Sequence, residues 1–323
     1  MSPTGSTLTR EPQEVAGEPR PPGRDRSTRY SQRRRDAVTG YLFLTPWLIG
    51  LVAITLGPIL ASLYLAFTDY SLLKPPEWIG LANFQEMLSD RRLHKSLLVT
   101  FQYVLISVPL QLLMALGLAI VLNKGIRGLG FYRSVFYLPS LLAGSVSIAI
   151  LWRQIFGQEG LVNDVLAKFG IEGQSWVAHP DFALGTLILL NGWTFGAPMV
   201  IFLAGLRQIP ASYYEAAAVD GAGRWTTFVH ITLPLLTPII FFNLVLQVIG
   251  AFQSFTQAFV VSGGTGGPAD STLLYTLYLY DEGFGSFHMG YASAMAWLLL
   301  AIIAALTAIN FLFAKRWVFY GDE

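Results

Sequence analysis

No charged residue occurs between Asp36 and Asp69, and five later stretches are almost as apolar. Crossing the hydrocarbon core of a bilayer takes roughly 20 consecutive apolar residues in a helix. Six stretches meet that length: about Tyr41–Phe67, Leu97–Leu122, Ser134–Ile155, Leu184–Leu206, Leu235–Val261 and Gly290–Ala314. One soluble core cannot account for them, since 53% of the residues are hydrophobic and only 13% are charged, against about 25% charged in soluble domains. Lipid offers no water to an unpaired peptide group, so each stretch is expected to be a helix. The fold class is therefore an all-α membrane protein with six transmembrane helices.

Met1–Asp36 has a different composition, with eight Arg and almost no large aliphatic side chains. Such a segment cannot offset its ordering entropy by burial. Residues 1–36 read as a disordered basic tail, ahead of a membrane domain over 37–318 and a short tail at 319–323. This start does not read as a cleaved signal peptide: its basic region is too long, and the apolar segment behind it is long enough to span. Six spans put both termini on one side. Lys and Arg concentrate in cytoplasmic flanks. With the tail inside, those flanks hold Arg33, Arg34, Arg35, Lys124, Arg127, Arg133, Arg207, Arg224, Lys315 and Arg316. The outer loops then hold most of the acids, among them Asp90, Asp270, Asp281 and Glu282. This N-in, C-in arrangement makes the loop over 207–234 cytoplasmic.

A net charge of +1 gives no field for nucleic acid. The absence of cysteine removes disulfides and thiolate metal sites. His230 and His288 have no companion ligands at metal spacing, so no metal is expected. Pro46, Pro58, Pro109, Pro139, Pro198 and Pro238 lie in or at the ends of the apolar stretches. Each is either a packing irregularity satisfied by neighbouring helices or a hinge. Two outer segments, Trp78–Leu88 and Gly160–Gly170, have the spacing of short amphipathic surface helices. Neither amounts to a binding domain, so tight capture of a solute falls to another protein.

The segment from Glu215 to Pro234 reads EAAAVDGAGRWTTFVHITLP. Pro210 presets a first turn, good helix formers run through Glu215–Ala218, and Gly221 can take the positive φ that ends a helix. A second short helix is expected over about Arg224–Ile231, before Leu233 and Pro234 re-enter the membrane. Ala216, Ala217 and Ala218 leave a face without bulk, and Glu215 is the only charge on the first helix before Asp220. A lone carboxylate on a smooth helix suits an Arg on a partner. By helix chemistry alone, a plain interfacial helix-turn-helix fits equally well.

Seven positions, Glu215, Ala216, Ala217, Gly221, Ile231, Leu233 and Pro234, match the pattern E-A-A-x-x-x-G-x9-I-x-L-P. On these residues the chain resembles the permease subunits of bacterial ABC importers, the membrane components of binding-protein-dependent uptake systems. Trp78–Phe84, Arg127–Leu142, Gly266–Phe284 and Met289–Trp297 are similar to the carbohydrate branch of that family, the maltose and glycerol-phosphate group. The resemblance covers roughly Tyr41–Ala314. It implies a type I ABC-importer permease fold in a bacterial cell membrane. It implies a second homologous permease as heterodimer partner, two ATP-binding subunits, and an extracytoplasmic solute-binding protein delivering a sugar or related polyol. It also implies that Glu215, Ala216, Ala217, Ala218, Asp220 and Gly221 dock in a cleft of the ATP-binding subunit, whose closure rocks the pore. No G-x-x-x-x-G-K-[ST] occurs in this chain. ATP and Mg are therefore expected on the partner ATPase, with no cofactor and no enzymatic role here.

Polar side chains within spans are costly and face an interior. Asn191, Trp193 and Thr194 lie in the fourth stretch, and Gln247, Gln253, Ser254 and Gln257 in the fifth. Amides and hydroxyls beside aromatic rings suit a sugar, and Gln253 and Gln257, four apart, are expected to share a helix face. These groups line a solute pathway or make interhelical hydrogen bonds; both readings stand. The alternative class is an ion-coupled secondary transporter, which expects intramembrane carboxylates or inverted repeats. The six stretches carry no Asp or Glu. A membrane-embedded enzyme would need clusters of His, Asp or Ser that they also lack.

Overall fold

The computed structural model describes residues 39–125, 127–142 and 144–319. The basic tail expected over 1–36, and all of the C-terminal tail except Phe319, lie outside the described residues. The described residues up to Leu60 and those from Ala61 onward form two compact units. Helix α1 (Thr39–Leu65) begins in the first. The second holds β1 (Thr68–Ser71), β2 (Lys74–Trp78), α2 (Ala82–Ser89), α3 (Arg91–Leu122), α4 (Leu129–Leu142), α5 (Val146–Ile155) and α6 (Leu161–Ala167). It continues with α7 (Ala183–Trp193), α8 (Gly196–Gln208), α9 (Ala211–Val219), α10 (Arg224–Phe252), α11 (Thr256–Ser262), α12 (Tyr275–Tyr280) and α13 (Met289–Trp317).

Four helices, α1, α3, α10 and α13, are each long and apolar enough to cross a membrane. Two bent pairs, α4 with α5 and α7 with α8, reach that length only together, which makes four to six spans. The 32 residues of α3 extend about 48 Å at 1.5 Å per residue, well beyond the hydrocarbon core. This helix packs on α7, α8 and α10. Ala115 and Ala119 are fully buried along it, and small residues of this kind let membrane helices approach closely. The α8–α10 contact is equally tight: a Cβ on Gly205 would come within 2.0 Å of Ile239 Cδ1.

Prolines account for two local irregularities. A proline lacks the N–H that would bond four residues back, and its ring crowds that carbonyl. A π-helical turn at Leu51–Leu56 precedes Pro58, and another at Phe228–Thr232 precedes Pro234. Widening the turn removes the conflict without ending the helix. The segment from Arg224 is consequently the opening of α10 and not a separate short helix.

Three expectations need correction. The described residues are not purely helical, because β1 and β2 pair antiparallel with Thr68 opposite Trp78. Pro75 and Pro76 cannot donate to a second neighbour and so fit a two-stranded edge. The buried Asn83 amide donates to Ala66 O at 2.9 Å and to Thr68 O at 3.0 Å, fastening α2 to this hairpin. The surface helix expected from Trp78 accordingly starts only at Ala82. Finally, the fourth stretch bends by 42° between α7 and α8, and the fifth stops at Phe252, with α11 beginning at Thr256.

The coupling loop and the polar helix breaks

Helix α9 starts after Pro210, which sits at φ −59°. It ends in stacked hydrogen bonds: the Gly221 amide donates to Ala218 O at 3.2 Å and the Ala222 amide to Ala217 O at 2.9 Å. With Gly221 at φ 72°, this is a Schellman closure, which satisfies the last carbonyls of a helix. The hydroxyls of Tyr214 and Thr232 lie 3.2 Å apart and tie α9 to α10. Glu215, Ala216, Ala218, Asp220 and Gly221 are exposed, and among the described residues the Glu215 carboxylate has no ion-pair partner. Ala217 is turned inward and buried. Successive helical residues point about 100° apart, so the three alanines do not share one face. The smooth outer surface is Ala216 and Ala218 beside Glu215.

The polar residues of the helix breaks have partners. Thr194 ends α7: its hydroxyl donates to Asn191 O at 2.7 Å. The Gln111 side-chain amide, from α3, donates to the Thr194 hydroxyl at 2.8 Å and to Thr194 O at 3.1 Å. Asn191 Nδ2 donates to Gln111 Oε1 at 3.3 Å. Ser140 of α4 donates to Thr194 O at 2.8 Å and accepts from the Ala197 amide at 3.0 Å. Two side chains from other helices thus satisfy the backbone freed between α7 and α8. The Trp193 ring lies 6.1 Å from Trp152. At the second break, Thr276 donates to Ser254 O, and Ser254 Oγ lies 3.5 Å from Gln257 Oε1. Gln253 caps α10 while Gln257 belongs to α11, so the two glutamines do not share a helix face. Gln247 is half-buried in α10 and Gln253 is exposed.

Residues 79–318 match the family described as binding-protein-dependent transport system inner membrane component. The chain belongs to this family. It is a multi-pass membrane permease of the ABC-importer type, a transport subunit and not an enzyme, and the family implies an ATPase and a binding protein as partners. The permease is 52% identical over 303 residues to the probable ABC transporter permease protein YesP of Bacillus subtilis (strain 168), covering 93% of this chain and 98% of that one. It is 32% identical to the lactose transport system permease protein LacF of Rhizobium radiobacter, covering 90% and 98% respectively. Its fold is similar to a chain of a bacterial alginate ABC transporter solved with an alginate pentasaccharide-bound periplasmic protein: TM-score 0.76, 21% identity, 89% and 97% coverage.

Far from the loop, the permease carries a polar clamp that sequence reasoning left as scattered loop charges. Asp90 caps α3, accepting from the Arg92 and Leu93 amides at 2.8 and 3.0 Å. Its other oxygen accepts from the Tyr278 and Tyr291 hydroxyls, both at 2.7 Å. Burial pushes the Asp90 carboxyl up, but these four bonds outweigh it and hold the group below its ordinary pKa. Arg92 bonds Asp281 at 2.8 Å and lies 3.5 Å from Asp270. The clamp joins the starts of α3 and α13 to the 268–285 segment. Only the N-cap was readable locally, as an Asp before an apolar helix; Gln111 and Ser140 gave no local signal at all.

Proposed function

We propose that this permease carries a sugar or related polyol across a bacterial cell membrane, with six spans and both termini in the cytoplasm. Its partner across the pore is a second, homologous permease. ATP and Mg act on two ATP-binding subunits, and an extracytoplasmic binding protein delivers the solute. The domain limits are those read above, with a basic tail over 1–36, the permease domain over 37–318 and a coupling loop over 207–234. The charge placement on the flanks supports the orientation. The names of relatives support the solute class: lactose for one, arabinooligosaccharides for a second in Bacillus subtilis, and trehalose/maltose for a third in Thermococcus litoralis.

The observation that carries this reading is α9 itself, a Schellman-closed helix whose exposed Glu215, without an ion-pair partner among the described residues, stands beside exposed Ala216 and Ala218. Glu215 would pair with a cation in the ATPase cleft, Ala216 and Ala218 would allow close approach, and Asp220 and Gly221 would set the turn. Ala217 would act from within, as a hydrogen-bond acceptor. For the solute, Trp193, Gln247 and Gln253 are the better lining groups. The bonds of Asn191, Thr194, Ser254 and Gln257 favour a role in holding the breaks. Glu215→Arg tests the docking role: we expect the ATPase to be lost from the purified complex while the thermal midpoint of the permease is unchanged. An intact complex with unchanged uptake would remove the assignment.

A further inference from the structure

A cavity of about 310 Å³ lies where the end of α3 meets α9 and the first turns of α10. Asn123, Lys124, Tyr214, Arg224, Thr227 and Thr232 supply its polar lining, and none of the lining residues is acidic. Among the described residues neither Lys124 nor Arg224 is within ion-pair distance of a carboxylate. Arg224 opens α10, whose first turn carries no acid. Two like charges lining one open pocket repel each other, and an anion between them converts that repulsion into two attractions.

We propose that this cavity binds a phosphate-bearing anion. An Arg fork offers paired N–H donors that match phosphate oxygens, and a Lys adds a mobile point charge. The Asn123 side-chain amide supplies further donors. The neighbouring aromatics favour a headgroup at the membrane boundary: Trp225, 76% exposed, stands beside the lining residue Phe228 with ring centres 5.6 Å apart, and tryptophan rings settle at that boundary. The same chemistry would accept free phosphate.

The site has a consequence for the loop above it. Tyr214 and Thr232, which tie α9 to α10, both line the cavity, while Lys124 comes from just beyond α3. An occupant therefore bridges the coupling loop to the central helix. Glu215 is exposed and does not line the cavity, so Glu215→Arg tests the proposed ATPase contact without altering the anion site.

The test uses the full-length permease. Phosphatidylglycerol is titrated into phosphatidylcholine nanodiscs, and inorganic phosphate into detergent, with the thermal midpoint as readout. The expected result is a saturable upward shift, with apparent affinity reduced about tenfold in Lys124→Gln and in Arg224→Gln, the loss of one charge-assisted contact each. Lys124→Arg should retain it, and Lys315→Gln, off the cavity, should bind as wild type. A shift with the lipid alone makes the ligand a headgroup; a shift with phosphate as well makes it any phosphate group, and both support the site. No shift with either ligand, or a shift undiminished in both Gln variants, overturns it. Midpoints without ligand show whether each variant is folded.

Discussion

Gly221 and Gly223 stand two residues apart in the coupling loop and separate backbone geometry from everything else. Gly221 sits at φ 72°, Gly223 at φ −69°, ψ 162°, and a Cβ on either would meet no atom within 4 Å. Alanine at 223 therefore costs neither space nor strain, and by restricting the unfolded chain it gains at most about 0.4–1 kcal/mol. Alanine at 221 meets the same open space but must hold a left-handed conformation, which costs about 1–2 kcal/mol. That corresponds to roughly a 5- to 30-fold shift of the closed turn toward an open one. Hydrogen exchange reads it directly, because the Gly221 and Ala222 amides close the helix onto Ala218 and Ala217. In Gly221→Ala those amides should exchange faster by about that factor, and co-purified ATPase should fall. Gly223→Ala should match wild type in both, and Gly221→Asn should lie between, since Asn tolerates this region. Identical behaviour of the two alanine variants would show that the turn is not what holds the loop.

Three further outcomes follow from other contacts. Asp90→Asn should cost about 1 kcal/mol of stability, read as a lower thermal midpoint at neutral pH: Asn keeps the N-cap bonds, and only the charge assistance to the two tyrosine hydroxyls is lost at a partly exposed site. Because the folded pKa of Asp90 is depressed, its contribution is present above the unfolded value of about 3.9 and fades as pH falls through the folded value, so the wild-type and variant curves should converge in acid. Gly196→Ala should cost about 1–3 kcal/mol or more, since its Cβ would lie 2.3 Å from Phe136 O and 2.7 Å from Tyr137 Cα, both backbone atoms; Gly185→Ala, inside α7 with nothing within 4 Å, should hold or raise the midpoint in the same melting assay, because Ala is the better helix former. Thr194→Val should destabilise by about 1–3 kcal/mol, whereas Gln247→Leu should leave the midpoint in place and reduce solute uptake.

What could be read from the chain, and what could not, divides by the range of the interactions involved. Apolar length is a local property with one solution in lipid, so α1, α3, α10 and α13 were legible, as was the loop, where Pro210 starts α9 and Gly221 ends it. The hairpin was not, and neither was what stabilises the helix breaks. Near Trp193 the local signal is Pro198, which has no N–H to offer Thr194 O four residues back; the break stands because Gln111 and Ser140, 83 and 54 residues away from Thr194, satisfy that carbonyl instead. The same long reach explains why polar residues within apolar stretches misled. Asn191 and Thr194 have the chemistry of a sugar site, yet the Thr194 hydroxyl is engaged with Gln111 and the Asn191 backbone carbonyl, and the Asn191 side-chain amide donates to Gln111. A buried amide has a limited number of donors and acceptors, so those committed to holding a break are not free for a passing hydroxyl. Counting commitments narrows the pathway further than polarity does. Gln247 and Gln253 are the amides to test first, and a variant that spares stability while losing transport is the signature that separates a lining group from a structural one.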